Sequence, residues 1–148
     1  MVARGGNMNK NSENPRVGKT FQDLVIKRLK AMYHQNFYSE YALPIGNPPK
    51  LHRFDCVSED ETVVVECKCY TWTDSGNVPS AKLMGLNEAV FYMSYLPAGT
   101  TRILAIKKST HPKRAETLAE YYNRIDGHLL NGITILEIDE YGLPRQIR

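Results

Sequence analysis

Residues 63–70 read VVVECKCY and predict a β-strand around which the rest of the chain can be arranged. Side chains on a strand alternate between its two faces, so Glu66 and Lys68 project to the same side. Val64 shares that side, whereas Val63 and Val65 line the opposite face together with two cysteines. The strand therefore begins apolar on both faces and ends with a carboxylate and an ammonium group in one small volume.

Two further strands precede this one and form a meander with it. The segments 37–45 and 51–57 are separated by GNPP at 46–49, and SEDE at 58–61 separates the second segment from VVVECKCY. Clusters of Gly, Pro, Asn, Asp and Ser are typical of turns. We therefore predict three consecutive antiparallel strands, with Asp55 on the second.

Segments with helical periodicity surround the meander. Apolar residues recur at helical spacing after Val17 and again after Ser80. The runs RILAI (102–106) and ITILEI (133–138) predict two more strands, with a helix over about residues 115–125 between them. Because a strand, helix, strand path needs a right-handed crossover, we expect an α/β fold with a mixed central sheet flanked by helices on both faces, in the order α-β-β-β-α-β-α-β. The helix after Ser80 is apolar on more than one side, which favours contact with a partner subunit as well as with the sheet.

The length and composition are those of a single globular domain. At 148 residues the chain can bury a sizeable core, and we predict one domain over residues 17–148 after a flexible tail over residues 1–16. No apolar run approaches the roughly 20 residues that a membrane helix needs, which predicts a cytoplasmic protein without a membrane partner. The three cysteines are expected to be reduced and buried.

The charge distribution is more informative than the net charge of +3. Basic residues collect in the first helix and again after RILAI, and acidic residues collect between them, around the SEDE turn. A basic rim around an acidic centre would attract a polyanion and hold a cation in the middle. Two solvated helix faces and an acidic turn would give the same pattern.

Asp55 and Glu66 lie at similar distances from the SEDE turn, so the two carboxylates meet if they share a face. Two carboxylates brought together repel, and a divalent cation relieves that repulsion. An incomplete shell of oxygen ligands suits Mg²⁺, which keeps waters and binds substrate phosphates. Lys68 would stabilise charge on a phosphate beside such a site. The competing interpretation is a surface ion pair between Glu66 and Lys68, with Asp55 closing a turn.

Phe54-Asp55 on one strand and Glu66-Cys67-Lys68 on the next resemble the signature of the PD-(D/E)XK nuclease superfamily, which has the restriction endonuclease-like fold. The order of elements over residues 17–108 is similar as well. The resemblance implies Asp55 and Glu66 as metal ligands, the carbonyl of Cys67 as a further ligand, and Lys68 as the catalytic lysine. It also implies an endonuclease that uses Mg²⁺, replaceable by Mn²⁺, and cuts duplex or branched DNA. A small nuclease without an extra recognition domain would most simply cut both strands as a homodimer, so we expect a homodimer or a higher homo-oligomer. Small restriction enzymes and archaeal Holliday junction resolvases use this core.

The first helix departs from the family pattern. Many members carry a glutamate after a motif such as G-x-x-F, whereas this chain reads GKTFQDLV, with Gln22 at that position and Asp23 beside it. Gln22 is expected to bind the metal or its water through its carbonyl oxygen, or Asp23 to substitute for it. A catalytically inactive DNA-binding or assembly protein that keeps the fold is the alternative that Gln22 favours.

Three residues are candidates for contact with DNA. Lys19 lies on the basic first helix, and Lys82 is the nearest match to a basic or amide residue that the family often has on the helix after the third strand. Trp72 follows the active strand in a polar loop, where its ring would stack on a base or, alternatively, cap the core.

Overall fold

A computed structural model describes residues 15–148, in which a six-stranded sheet carries helices on both faces. The helices are α1 (Pro15–Tyr33), α2 (Ser80–Met93) and α3 (Leu118–Asp126), and a 3₁₀ turn follows at Gly127–Leu129. The strands are β1 (Phe37–Ile45), β2 (Lys50–Ser58), β3 (Val63–Lys68), β4 (Thr101–Lys107), β5 (Ile133–Ile138) and β6 (Pro144–Gln146). The predicted order of elements is confirmed through β5.

The sheet is mixed, and its strands lie side by side in chain order. β1, β2 and β3 are antiparallel, β3, β4 and β5 are parallel, and β6 returns antiparallel to β5. The strand β6 was not predicted, because three residues that begin with a proline carry no detectable alternation. β3 therefore lies where the sheet changes from antiparallel to parallel pairing.

Each face of β3 is buried under a different helix layer. On one face Val63 and Val65 pack with Phe21, Val25 and Leu29 of α1. On the other face Val64 belongs to the cluster that α2 and α3 cover. The prediction of an α/β fold with helices on both faces of a mixed sheet is confirmed, and burial on both faces explains the continuous VVV run.

The start of α1 lies near the predicted domain boundary. The helix is described from Pro15 onward. The predicted tail over residues 1–16 falls mostly on residues 1–14, outside the described residues. No helix between residues 15 and 148 combines the length and the apolar character needed to span a bilayer.

The β2–β3 turn is held by one aspartate. Asp60 accepts hydrogen bonds from the Ser58 hydroxyl at 2.7 Å, the Thr62 hydroxyl at 2.7 Å and the Thr62 amide at 3.1 Å. Glu61 adopts a left-handed backbone with φ of 60°, which the hydrogen-bonded turn imposes. Hydrogen bonds from Thr62 and Ser58 lower the pKa of Asp60 to about 2.

Asp60→Ala should destabilise the protein at neutral pH, because the variant loses the acceptor that closes the turn. The pKa of Asp60 is lower in the folded state, so its contribution is present above its ordinary pKa of 3.8 and is lost as the pH falls toward about 2. The difference in free energy of unfolding between wild type and variant should therefore shrink over that range, as measured by urea denaturation. Glu140→Ala, an exposed carboxylate in another turn, is the control; a wild-type to Asp60→Ala difference that does not vary with pH would contradict the assignment.

Candidate active site

The carboxylate of Asp55 occupies the point where β2 and β3 separate. The two strands pair Cys56 with Val65 and Val57 with Val64. Beyond these pairs the Asp55 side chain replaces a backbone carbonyl as acceptor, since the Cys67 amide donates to Asp55 Oδ2 at 2.7 Å. The hydrogen bond fixes the Asp55 carboxylate between the two strands and next to Glu66.

Glu66 is only 8 % exposed and follows Val64 on the face of β3 that α2 and α3 cover. Burial raises the pKa of Glu66 to about 9, and the neighbouring charge and hydrogen bond of Asp55 add to the effect. Lys68 acts in the opposite direction, but less strongly. Without a cation, Glu66 therefore keeps its proton at neutral pH beside the Asp55 carboxylate. The two carboxylates lie close together, as expected if they share a face, and their role as metal ligands stays a prediction.

The donor atoms at this position fit a small hard cation. A carboxyl group that keeps its proton beside a carboxylate releases it when a divalent cation takes the place of the proton. Mg²⁺ is typically bound by one or two carboxylates and keeps several waters. Among residues 15–148 no group of three or more His, Cys, Asp or Glu side chains is arranged to hold a metal. A cation at Asp55 and Glu66 would therefore need main-chain oxygen or water to complete its shell.

Cys67 contributes through its backbone rather than its thiol. Its amide binds Asp55, and its sulfur lies 3.8 Å from the sulfur of Cys56, with all three cysteines free. The contact with Cys56 and burial raise the pKa of the Cys67 thiol well above its ordinary value. Both features make the thiol a packing group. The carbonyl of Cys67 as a metal ligand remains a prediction.

Lys68 follows Glu66 on the same face of β3 and is half-buried. Its ammonium lies 5.9 Å from the centroid of the Tyr70 ring, so the ring limits where the side chain can move. Tyr70 in turn packs on α2 at a glycine: a Cβ on Gly85 would lie 2.6 Å from the Tyr70 hydroxyl. Sequence reasoning missed this support, since Gly85 has an ordinary place in a helical pattern.

Gln22 positions Asp55 through a contact that was not predicted from the sequence. Its side-chain amide donates to the Asp55 carbonyl at 2.9 Å and approaches Glu40 Oε1 at 3.4 Å. The β1–β2 ladder is interrupted there, since Ser39 pairs with Cys56 and Tyr41 with Phe54, while Glu40 adopts φ of 52°. Gln22 thus replaces β1 as the partner of the Asp55 carbonyl. Gln22 thereby has a structural role through its side-chain nitrogen, and the metal role of its side-chain carbonyl oxygen stays a prediction.

Asp23 and Lys19 form an ion pair on the outer side of α1. Their charged groups are 2.9 Å apart, and both side chains are more than half exposed. In this arrangement the Asp23 carboxylate pairs with Lys19 in solvent, and its substitution for Gln22 stays a prediction. Lys19 and the half-buried Lys82 stay predictions as contacts for DNA.

Trp72 is a core residue. It is 5 % exposed, the Arg114 guanidinium lies 4.4 Å from its ring centroid, and Tyr121 packs against it edge to face at 5.4 Å. Arg114 and Tyr121 cover the Trp72 ring, so it is not available to stack on a base, and that prediction is corrected. The alternative that Trp72 caps the core is the one that the structure supports.

Gln22→Glu should destabilise the protein. A carboxylate cannot donate to the Asp55 carbonyl and would lie beside Glu40, so a buried acceptor loses its partner. We expect a loss of about 1–3 kcal/mol in the free energy of unfolding, measured by chemical denaturation. The neighbouring exposed change Asp23→Asn should stay within about 0.5 kcal/mol. Equal stability of Gln22→Glu and wild type would show that this amide does not hold Asp55.

Comparison with known proteins identifies no relative of this chain. No protein-family model, curated protein or solved structure matches the chain.

Proposed function

We propose that this protein is a Mg²⁺-dependent DNA endonuclease that hydrolyses phosphodiester bonds. The main support is the position of Asp55, whose carboxylate is held by the Cys67 amide beside the buried Glu66. Lys68 lies on the same face of β3 as Glu66. Two carboxyl groups and an ammonium group thus meet within residues 55–68, and these groups suit phosphodiester hydrolysis.

Asp55 and Glu66 are the residues that would hold the cation. When bound, a divalent cation supplies a Lewis acid that lowers the pKa of water and neutralises phosphate charge. Lys68 would neutralise charge that accumulates on the phosphoryl oxygens during attack by water. Gln22 and the Cys67 amide would keep the Asp55 carboxylate and backbone in place, so that the acids do not reorganise when the substrate binds.

The order of α1, the three-strand meander, α2 and the parallel strand β4 supports a restriction endonuclease-like core. Duplex or branched DNA is the proposed substrate, a homodimer the proposed active form, and the cytoplasm the proposed compartment. The inactive DNA-binding module is the second candidate, favoured by the absence of a carboxylate at Gln22.

Purified protein should nick or cut plasmid or four-way-junction DNA with Mg²⁺ or Mn²⁺, and EDTA should abolish the cleavage. Asp55→Asn and Lys68→Ala should each lower the rate at least about 100-fold, because each removes a group acting on the reacting phosphate. Lys27→Ala, an exposed lysine on α1, serves as the charge-matched control for Lys68→Ala. Full activity of either site variant would show that the chemistry lies elsewhere. DNA binding without any cleavage would favour the inactive module.

Glu66→Gln should stabilise the metal-free protein, and the gain should grow with pH. Because the pKa of Glu66 is raised from 4.5 to about 9 by folding, wild type loses stability as the pH rises through that range. The variant has no proton to lose, so its advantage should increase by on the order of 1 kcal/mol per pH unit. Thermal unfolding in EDTA from pH 5 to pH 9 measures the difference.

The same pair of proteins tests the cation site without relying on activity. Added Mn²⁺ should raise the melting temperature of wild type and leave that of Glu66→Gln unchanged, because a ligand stabilises only the state that binds it. Asp23→Asn, which alters an acid outside the pair, should respond like wild type. An equal response of wild type and Glu66→Gln to Mn²⁺ would remove Glu66 from the site.

A further inference from the structure

A groove lies between the β1–β2 hairpin and the C-terminal end of α2. Its volume is about 360 Å³, within the roughly 300–1,000 Å³ that is typical of small-ligand sites. Among the described residues that line it, Lys50 is the only lysine or arginine and none is acidic. We call it the aromatic groove and define it by Lys50, His52, Phe91, Tyr92 and Tyr95. Such a lining suits a flat apolar group that is attached to an anion.

The four rings of the aromatic groove contact one another. His52 stacks on Tyr92 with ring centroids 4.0 Å apart and an interplanar angle of 13°. Phe91 packs edge to face with Tyr92 at 6.0 Å and with Tyr95 at 5.3 Å. Phe91 is nevertheless 59 % exposed and Tyr95 51 % exposed, so both rings still present surface to solvent. The groove is therefore ordered before a ligand arrives, which reduces the entropy lost on binding.

The segment that carries these rings is anchored at the end of α2. Met93 is fully buried and Leu96 is 5 % exposed. The Arg102 guanidinium donates to the Met93 carbonyl at 2.8 Å and to the Leu96 carbonyl at 2.9 Å. Carbonyls at a helix C-terminus have no partner within the helix, so Arg102 supplies one. Phe91 and Tyr95 are thus presented from a fixed helix end.

The aromatic groove and the candidate active site lie along one strand. His52 precedes Asp55 by three residues on β2, which corresponds to roughly 10 Å along the strand. His52 also packs edge to face with Phe54, which belongs to the cluster under α2 and α3, and Glu66 lies on that face of the sheet. Successive nucleotides of a DNA strand rise roughly 3.4 Å, so the two places are about three stacked nucleotides apart.

We propose that the aromatic groove binds an unpaired nucleobase of the DNA substrate, within a few nucleotides of the phosphate at Asp55. Every base has an apolar face that stacks on aromatic side chains, so this contact tolerates any sequence. Lys50 neutralises a phosphate beside the bound base. The proposal rests on the proposed nuclease function for the identity of the ligand, and it adds that the substrate carries unpaired nucleotides near the position of cleavage.

The composition of the aromatic groove favours a nucleobase over a segment of another protein. Duplex DNA keeps its bases in the stack, so a base that is already unpaired enters a pocket most easily. A carboxylate in the lining would repel the adjoining phosphates, and the described lining contains none. Lys50 would contribute nothing to a purely apolar protein contact. The substrates expected to use the groove are therefore branched, gapped or otherwise interrupted duplexes.

Equilibrium binding of the full chain to fluorescent DNA in EDTA tests the groove without cleavage. One probe is a duplex interrupted by a short run of unpaired thymidines, and the other carries abasic residues in the same run, so the phosphates are equal in number. Wild type should bind the thymidine probe at least about fivefold more tightly, because one stacked base contributes on that order. Phe91→Ala and Tyr95→Ala should abolish this preference and leave binding of the abasic probe unchanged.

Matched variants separate base stacking from general apolar contact. Phe91→Trp keeps an aromatic ring and should keep the preference for thymidine, whereas Phe91→Leu keeps only apolar area and should lose it. Tyr141→Ala removes a ring that is 75 % exposed on the turn between β5 and β6, and it should behave like wild type. Lys50→Ala should weaken binding of both probes equally, because both carry the phosphates. Far-UV circular dichroism checks that all variants are folded.

Equal affinity of wild type for the two probes, no binding of either, or a preference that survives in Phe91→Leu would overturn the proposal. A lower sedimentation mass of Phe91→Ala with an unchanged preference would also overturn it, and would assign the groove to a protein contact. Cleavage in Mg²⁺ is measured separately. Cleavage without a preference for thymidine removes only the aromatic groove, whereas the preference without cleavage removes only the endonuclease.

Discussion

The hydrogen bond from the Cys67 amide to the Asp55 carboxylate is the contact on which the candidate site depends. It occurs where β2 and β3 stop pairing through their backbones. The Asp55 carboxylate there accepts the hydrogen bond of the Cys67 amide, which a backbone carbonyl would accept in a continuous ladder. The carboxylate is thereby fixed beside Glu66, and its charge helps to raise the pKa of Glu66. On the other side of β2 the Asp55 carbonyl has lost its β1 partner in the same way, and Gln22 replaces it. One residue is thus held through its side chain by β3 and through its backbone by α1.

The parts of the site that lie close together in sequence could be predicted, because strand periodicity and turn position determine them. Asp55, Glu66 and Lys68 follow from one hairpin and the alternation of one strand. The role of Gln22 could not be predicted in the same way. It arises from a contact between α1 and β2 and from the left-handed conformation of Glu40, a non-glycine residue in mid-strand. No local pattern indicates such a conformation, which becomes favourable only when neighbouring elements impose it.

Similar reasoning explains Trp72 and the two faces of α2. The loop that carries Trp72 is polar in sequence, but Arg114 and Tyr121 arrive from a distant segment and enclose the ring. For α2 the sequence revealed apolar residues on more than one side, and the structure identifies which side meets the sheet. The fold class could be predicted with more success, since it depends on the order of elements and on the handedness of crossover connections rather than on individual side chains.

The location of β3 at the change from antiparallel to parallel pairing also bears on how the chain folds. The antiparallel half, residues 37–68, is built from two successive hairpins whose contacts are close in sequence, whereas β4 and β5 join only after helical crossovers. Short-range contacts form with a smaller loss of chain entropy than long-range ones. The candidate site residues Asp55, Glu66 and Lys68 therefore belong to the segment with the simplest topology, and the rest of the chain buries both faces of β3.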